Sequence, residues 1–255
     1  MKYICSWSGG KDSTASVILA HLHNEPLDEI IFAEVMYDHK RNISGENPRH
    51  IEFIMNVAKP LFESWGYKVR ILRAESDFLS FFNRVIENPR KHKEHKGMKF
   101  GFPSTGYCGV KRDMKLKPIN DYYVSIKEDI TQYVGLCIDE PDRLESMKKD
   151  NYKVSLLEKY GYTEKMAYDL CKEYGLLSPT YKLSKRGGCW FCPYAKLKEH
   201  MEIKERNPEL WYEFVALEDE PNVAFNKYNC FRKSLREIDQ EIEDTKAQMI
   251  MDLWN

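Results

Sequence analysis

The alternation of strand-like and helix-like segments constrains this chain more than any other feature. Residues 2–7, 30–37, 67–72 and 130–138 are β-prone runs of strand length. Residues 14–23, 48–65, 77–86 and 110–124 carry helix-like patterns, as Ile51, Ile54, Met55, Ala58 and Leu61 show in the second of them. The run at 30–37 is apolar rather than alternating, which predicts a strand covered on both faces. Strands and helices taking turns in this way predict an α/β fold around a parallel sheet. Gly66 is expected to stop the second helix, and Pro118 to mark a first turn or a kink in the fourth. Beyond Asp139 helical segments dominate, and no further strand is expected.

Such a fold needs a core, and the composition supplies one. The 255 residues are 42% hydrophobic and 31% charged, and a chain of this size buries roughly three quarters of its extended surface. The 39 basic and 40 acidic residues nearly cancel, so no global field draws the protein to nucleic acid or membrane. Their distribution is uneven. Between Arg84 and Lys117 there are ten Lys or Arg against three acids, and from Glu199 onward fourteen acids against seven bases. A basic stretch in a neutral protein fits an anionic ligand, a nucleic-acid strand or a solvated loop.

No segment approaches the length of a membrane span, and Ser-Gly-Gly comes too soon for a signal peptide. A cytoplasmic protein with reduced thiols is the expectation. Seven cysteines, an odd number, then point to metal or redox chemistry rather than disulfides.

Directly after the first strand stands Ser8-Gly9-Gly10-Lys11-Asp12-Ser13, and a helix follows. Two glycines permit a tight turn and a close approach of backbone N–H groups to an anion. The helix turns its positive end to the same point. Ser8 and Ser13 add hydroxyl donors, and Lys11 adds a charge. The glycine spacing of a Walker loop is absent. On composition alone the segment serves equally as a helix cap; the strand before it and the helix after it favour a phosphate site.

In this setting the motif resembles the pyrophosphate loop of the PP-loop ATP pyrophosphatase superfamily. That superfamily includes PAPS reductases, thiouridine synthetases, and GMP and asparagine synthetases. The resemblance implies a Rossmann-like, adenine nucleotide alpha hydrolase-like parallel sheet. It also implies that Ser8, Gly9, Gly10, Lys11, Asp12 and Ser13 grip the β,γ-phosphates of ATP with Mg2+ and leave the α-phosphate open to attack. The products would be pyrophosphate and an adenylylated intermediate.

Three later segments are similar to the PAPS reductase-like branch. The first is Tyr107-Cys108 followed by Lys115-Leu116-Lys117-Pro118-Ile119, with a longer cysteine-to-proline distance than typical reductases have. The second is Gly135-Leu136-Cys137-Ile138-Asp139-Glu140-Pro141-Asp142-Arg143, with Pro141 where the family has serine. The third is Gly187-Gly188-Cys189-Trp190-Phe191-Cys192-Pro193, taken with Cys171 and Leu176-Leu177-Ser178-Pro179. The resemblance implies Lys11, Asp12, Lys115 and Arg143 as catalytic groups, the last two facing the substrate anion. A Glu-Cys-Gly-x-His segment, which carries the nucleophile of true PAPS reductases, is not found, and this disfavours thioredoxin-dependent sulfate reduction.

Cys189 and Cys192 have the C-x-x-C spacing in which both sulfurs reach one metal. A closed zinc or cubane iron–sulfur site takes four thiolates. Cys108 and Cys171, both in motif-matching segments, are expected to complete it, with Cys230 in reserve; the cofactor would be a [4Fe-4S] cluster or Zn2+. A thioredoxin-type redox pair lacks its usual context, and two unrelated buried cysteines remain the plainer reading. Cys5 and Cys137, inside expected strands, read as buried fillers. Asp38 follows the second strand, as a ribose or Mg2+ contact or simply as the opening of a loop. His92 and His95 are expected to be solvated, and Trp211, Tyr212 and Phe214 to pack the C-terminal part.

Together these readings give a nucleotide-binding core over residues 1–145 and a helical, cysteine-bearing extension over 146–255. The expected activity is ATP-dependent adenylylation of a substrate for sulfur transfer or related substitution. Competing readings are a sulfonucleotide (PAPS/APS) reductase and a nucleic-acid-binding component of a DNA modification or phage-defence system. The acceptor, nucleic acid or small molecule, and the oligomeric state stay open.

Overall fold

The computed structural model describes residues 1–103, 106, 108–184, 188–228 and 233–253. Contacts divide the chain into two compact units. One comprises Met1–Glu34, Glu46–Ala74 and Met114–Gly187; the other comprises Val35–Gly45, Glu75–Asp113 and Gly188–Asn255. The chain passes between them five times, rather than once near residue 145 as the sequence suggests. Two excursions leave directly after strands Glu29–Glu34 and Lys68–Arg73, at carboxyl ends where a parallel sheet carries its loops.

The first unit is an α/β fold. Its five strands are all parallel, in the order Lys68–Arg73, Glu29–Glu34, Lys2–Ser6, Ile130–Tyr133 and Lys153–Val154. The last strand was not expected, because two residues are too few to show a period. Strand Glu29–Glu34 is buried at every position, which explains its unbroken apolar pattern. Its two end carboxylates survive burial because they are paired. Glu29 accepts from Arg70 Nε at 2.7 Å and from the Tyr122 hydroxyl, and Glu34 accepts from Arg73 Nε at 2.8 Å.

Helix Lys11–Leu22 packs Ala15, Val17, Ile18 and Leu19 into the core. Trp7 meets Phe62 edge-on at 5.2 Å and donates its indole N–H to Thr14 Oγ1 at 2.9 Å. Large side chains buried this way contribute about 1.5–3 kcal/mol each, so the end of the first strand and the start of the helix are held as one body.

The helices expected at 48–65 and 110–124 are both interrupted. Pro48–Phe53 passes through a π-helical stretch, Ile54–Ala58, into Lys59–Ser64, and a π-helical Lys111–Leu116 precedes Lys117–Ser125. In each case a proline, Pro60 or Pro118, is the second residue of the α-helix that follows. A proline ring has no N–H and presses on the carbonyl four residues back. A widened turn upstream moves that carbonyl away.

The second unit pairs Met36–Asp38 with Ile43–Ser44 antiparallel, and Lys99–Gly101 with Val223–Phe225 parallel. Its core is aromatic: Phe78 lies 4.1 Å from Phe191 and Trp190 lies 5.2 Å from Phe214, ring centre to ring centre. Trp211 and Phe214 are buried as expected, whereas Tyr212 is exposed. Among the described residues no helix is long and apolar enough to cross a membrane.

Candidate nucleotide site and cysteine segment

The segment from Ser8 to Ser13 links strand Lys2–Ser6 to helix Lys11–Leu22 at the carboxyl edge of the sheet, where open α/β sheets bind ligands. Gly9 has φ +72°, and a Cβ there would lie 2.7 Å from the His50 ring. Both its conformation and its surroundings require glycine. Ser13 Oγ closes the turn, accepting from Ser8 N at 3.1 Å and donating to the Gly10 carbonyl at 3.1 Å. Gly10 caps the helix without a side-chain acceptor, so the first-turn N–H groups of Asp12 and Ser13 are left for an anion.

Side chains remote in sequence hold this loop. His50, almost fully buried, bonds the Ser8 carbonyl through Nε2 at 3.0 Å and Ser178 Oγ through Nδ1 at 2.8 Å. A carbonyl only accepts, so Nε2 carries the proton and neutral Nδ1 accepts from Ser178. Burial pushes the His50 pKa below its ordinary value, outweighing the opposite pull of Glu46 and the Ser8 carbonyl. The Tyr181 hydroxyl accepts from Lys11 N at 2.8 Å. Gly135 lies against the helix start: a Cβ on it would fall 2.5 Å from Ser13 N.

A cavity of about 560 Å3 opens beside the loop, lined by Ser6, Ser8, Gly10, Asp12, Ser13, Gln132, Arg143 and Lys153 among others. That volume lies in the range of small-molecule sites. Arg143 is exposed and paired with Glu140, and Lys153 is paired with Asp150 at 2.5 Å. The loop, Asp12 and Arg143, matched from two separate motifs, thus meet at one cavity.

Lys11 and Lys115 do not line that cavity. Lys11 Nζ lies 2.7 Å from Asp12 and 3.0 Å from Glu164. Burial works against its charge, but the two carboxylates prevail and hold its pKa above the ordinary value. Lys115 Nζ lies 2.8 Å from the buried Glu46. Asp38 belongs to the second unit, where it accepts from Arg41 Nε at 2.5 Å and from Lys40 N at 2.8 Å. Its carboxylate shapes its own turn, the plainer of the two roles open to it.

The cysteines also separate. Cys108, Cys189 and Cys192 belong to the second unit, whereas Cys171 belongs to the first. There the Cys171 thiol is buried and donates to the Lys11 carbonyl at 3.1 Å, and burial pushes its pKa up to about 12. Within the first unit Cys171 is thus engaged with the start of helix Lys11–Leu22. Cys137 contacts Asp12 Oδ1 at 3.3 Å and Cys5 the Ser13 carbonyl at 3.9 Å, so the expected fillers pack on the loop from Ser8 to Ser13.

In the second unit, Lys111 N donates to Cys108 Sγ at 3.4 Å. The Cys192 carbonyl accepts from the buried Tyr228 hydroxyl at 2.6 Å, and Gly106 N donates to the Tyr194 hydroxyl at 2.6 Å. Between the two cysteines, Trp190 and Phe191 sit in the aromatic core, which fixes the backbone of the C-x-x-C turn. Cys230 lies outside the described residues, as do Tyr107 and Gly187. Among the described residues, His92, Glu94 and His95 form a cluster whose ligating atoms lie within 4.8 Å of one another, largely exposed as expected of those histidines.

His50 escaped the sequence reading because nothing near it has motif character, and Ser178 and Tyr181 because their bonds to the loop are made only in the fold. The only signal available was Leu176-Leu177-Ser178-Pro179, which the family resemblance singles out without giving Ser178 a role.

No protein-family model matches the chain. It is similar to an uncharacterized protein of Methanocaldococcus jannaschii, 24% identical over 265 positions that take in 95% of this chain and 56% of that protein. The chain thus spans about half the length of this curated relative.

Proposed function

We propose that the first unit binds ATP and catalyses adenylyl transfer, with cleavage between the α- and β-phosphates, to activate an acceptor for sulfur transfer or a related substitution. The observation that carries this reading is the loop from Ser8 to Ser13, held at a helix N-terminus beside a cavity that also contains Arg143 and Lys153. The loop N–H groups and Ser13 would take the terminal phosphates, and the two cations would offset charge along the chain of phosphates. As a nucleophile on the acceptor bonds to the α-phosphorus, the bond to the bridging oxygen breaks and its electron pair leaves with pyrophosphate. The acceptor's proton passes to solvent. Fixed donors aimed at the departing charge supply most of the rate in such a reaction.

Mg2+ suits the site as a neutraliser of the phosphates, and Asp12 and Asp150 are the carboxylates at the cavity able to hold it. Lys11 acts by fixing Asp12 rather than by touching phosphate. In the second unit, the C-x-x-C spacing of Cys189 and Cys192 would let both sulfurs reach one zinc ion or iron–sulfur cluster, either structural or sulfur-carrying, and Cys108 of the same unit is the further candidate ligand.

Calorimetry with ATP–Mg2+ and with PAPS tests the reading. ATP is expected to bind and PAPS to bind much more weakly, and Ser13→Ala and Gly10→Val should abolish ATP binding in a folded protein. Preference for PAPS would turn the assignment to sulfonucleotide reduction, and undiminished affinity in both variants would remove the loop from the site.

A further inference from the structure

The basic stretch that follows Arg84 is a built surface. Residues 84–100 fold back on themselves: Ile86 N donates to the Met98 carbonyl and Gly97 N to the Ile86 carbonyl, both at 2.9 Å, and Phe100 N to the Arg84 carbonyl at 2.8 Å. The hairpin is moored to strand Val223–Phe225 through Lys99 N on the Asn222 carbonyl at 2.8 Å and Asn222 Nδ2 on the Gly97 carbonyl at 3.1 Å. Residues 84–100 carry six Lys or Arg against two Glu. Of these, Arg90, Lys91, Lys93 and Lys96 are exposed and form no ion pair among the described residues. Of the nearby acids, Glu94 is engaged with His92 at 3.0 Å and Glu220 with Lys99 at 2.5 Å, while Glu87 is exposed.

Beside these cations runs a row of rings assembled from distant parts of the sequence. Phe81 lies 4.9 Å from Phe100, Phe100 5.0 Å from Phe225, Phe225 5.4 Å from His95, and His95 5.0 Å from His92. Arg84 covers the inner end, 5.1 Å from the Phe81 ring and 4.7 Å from the Phe100 ring. The outer end is open: Phe225 is 38% exposed, and the His92 side chain is 62% exposed. A solvated loop accounts for the lysines but leaves the exposed phenylalanine beside them unexplained.

We infer that this face binds a single-stranded nucleic acid, with phosphates on Arg90, Lys91, Lys93 and Lys96 and bases stacked on Phe225, His95 and His92. Unpaired bases offer ring faces that a duplex keeps in its own stack, and cations interleaved with aromatic side chains are the chemistry that holds them. That the bound strand is also the acceptor of the adenylyl group rests on the proposed function; the binding itself does not.

Fluorescence anisotropy of the full chain with labelled oligo(dT), oligo(rU) and a DNA duplex, over a range of salt, tests the inference. Single strands should bind more tightly than duplex, and a preference for one sugar would identify the bound strand as DNA or RNA. Replacing Lys91, Lys93 and Lys96 together by Gln should lower the slope of log affinity against log salt by roughly 2, at about 0.7 for each phosphate no longer neutralised. Phe225→Ala should weaken binding roughly five- to hundred-fold, and Phe225→Trp should retain it. Ser13→Ala should leave oligonucleotide affinity unchanged, so a protein that binds oligonucleotides but not ATP would sink the proposed function and spare this one. A wild type that binds no single strand, a duplex preference, or an unchanged slope in the triple variant would overturn it.

Discussion

Gly135→Ala tests whether the loop from Ser8 to Ser13, the proposed nucleotide site, is held from the neighbouring strand. Gly135 follows strand Ile130–Tyr133, and a Cβ built on it falls 2.5 Å from Ser13 N, 2.6 Å from Asp12 C and 2.8 Å from Ser13 Cα. All three are backbone atoms of the first helical turn, so no side chain can swing aside. Ordinary contact starts near 3.4 Å, and one methyl must therefore push the helix start or its own strand by nearly an ångström. Overpacking of this kind costs about 1–3 kcal/mol of stability. The same shift misaims the N–H groups of Asp12 and Ser13. Losing one charge-assisted hydrogen bond costs about 1.5–3 kcal/mol, or roughly ten- to hundred-fold in ATP affinity. Titration calorimetry and urea denaturation would be run beside Val69→Ala, a core change on the edge strand Lys68–Arg73, away from the loop. Gly135→Ala should lose affinity well beyond what Val69→Ala loses. Wild-type affinity in a destabilised Gly135→Ala would refute the claim that this contact aims the loop, and wild-type stability would refute the contact itself.

His50 supplies a pH dependence. Because its folded pKa lies below the ordinary histidine value of 6.5, the unfolded chain binds more protons there between the two values. Its contribution to stability is full above about 6.5 and is lost as pH falls through the depressed value. Urea midpoints should drop between pH 7.5 and 5.5 more steeply in the wild type than in His50→Gln, and parallel curves would show that folding does not depress the His50 pKa. For the cysteines, metal analysis of anaerobically purified variants should find metal lost in Cys108→Ser, Cys189→Ser and Cys192→Ser and kept in Cys171→Ser. Metal loss in the last would return Cys171 to the ligand set.

Local signals were legible in the sequence, and assembled ones were not. The strand that precedes Ser8, the helix that follows it and the doubly covered strand at residues 29–34 each declare themselves within a dozen positions. Strand Lys153–Val154 has no period to read, and the π-helical stretches before Pro60 and Pro118 look like plain helix until the ring has to be accommodated. At the site, Ser8, Asp12, Ser13 and Arg143 could be named because motif and strand end coincide. Lys115 and Asp38 carry the right chemistry, but their charges are taken up by Glu46 and Arg41. His50 and Tyr181 reach the loop from other elements through buried bonds, and spacing does not record that. Phe225 is the extreme case: only strand pairing brings it beside a basic stretch more than a hundred residues earlier.

The five crossings between units also have a consequence for synthesis. Lys99–Gly101 has to wait for Val223–Phe225 before it can pair, so the second unit cannot close until nearly the whole chain has left the ribosome. Segments 35–45 and 75–113 are held in reserve during that interval, tethered at both ends to a sheet that can already have formed. Closing such distant contacts is slow, and the exposed rings of Tyr37, Phe78 and Phe102 are what a chaperone would meet first. A chain truncated near residue 187 would keep every strand of the five-stranded sheet and still carry two orphaned, aggregation-prone loops. Dissecting this protein into its halves therefore calls for excising three segments and not for choosing one cut.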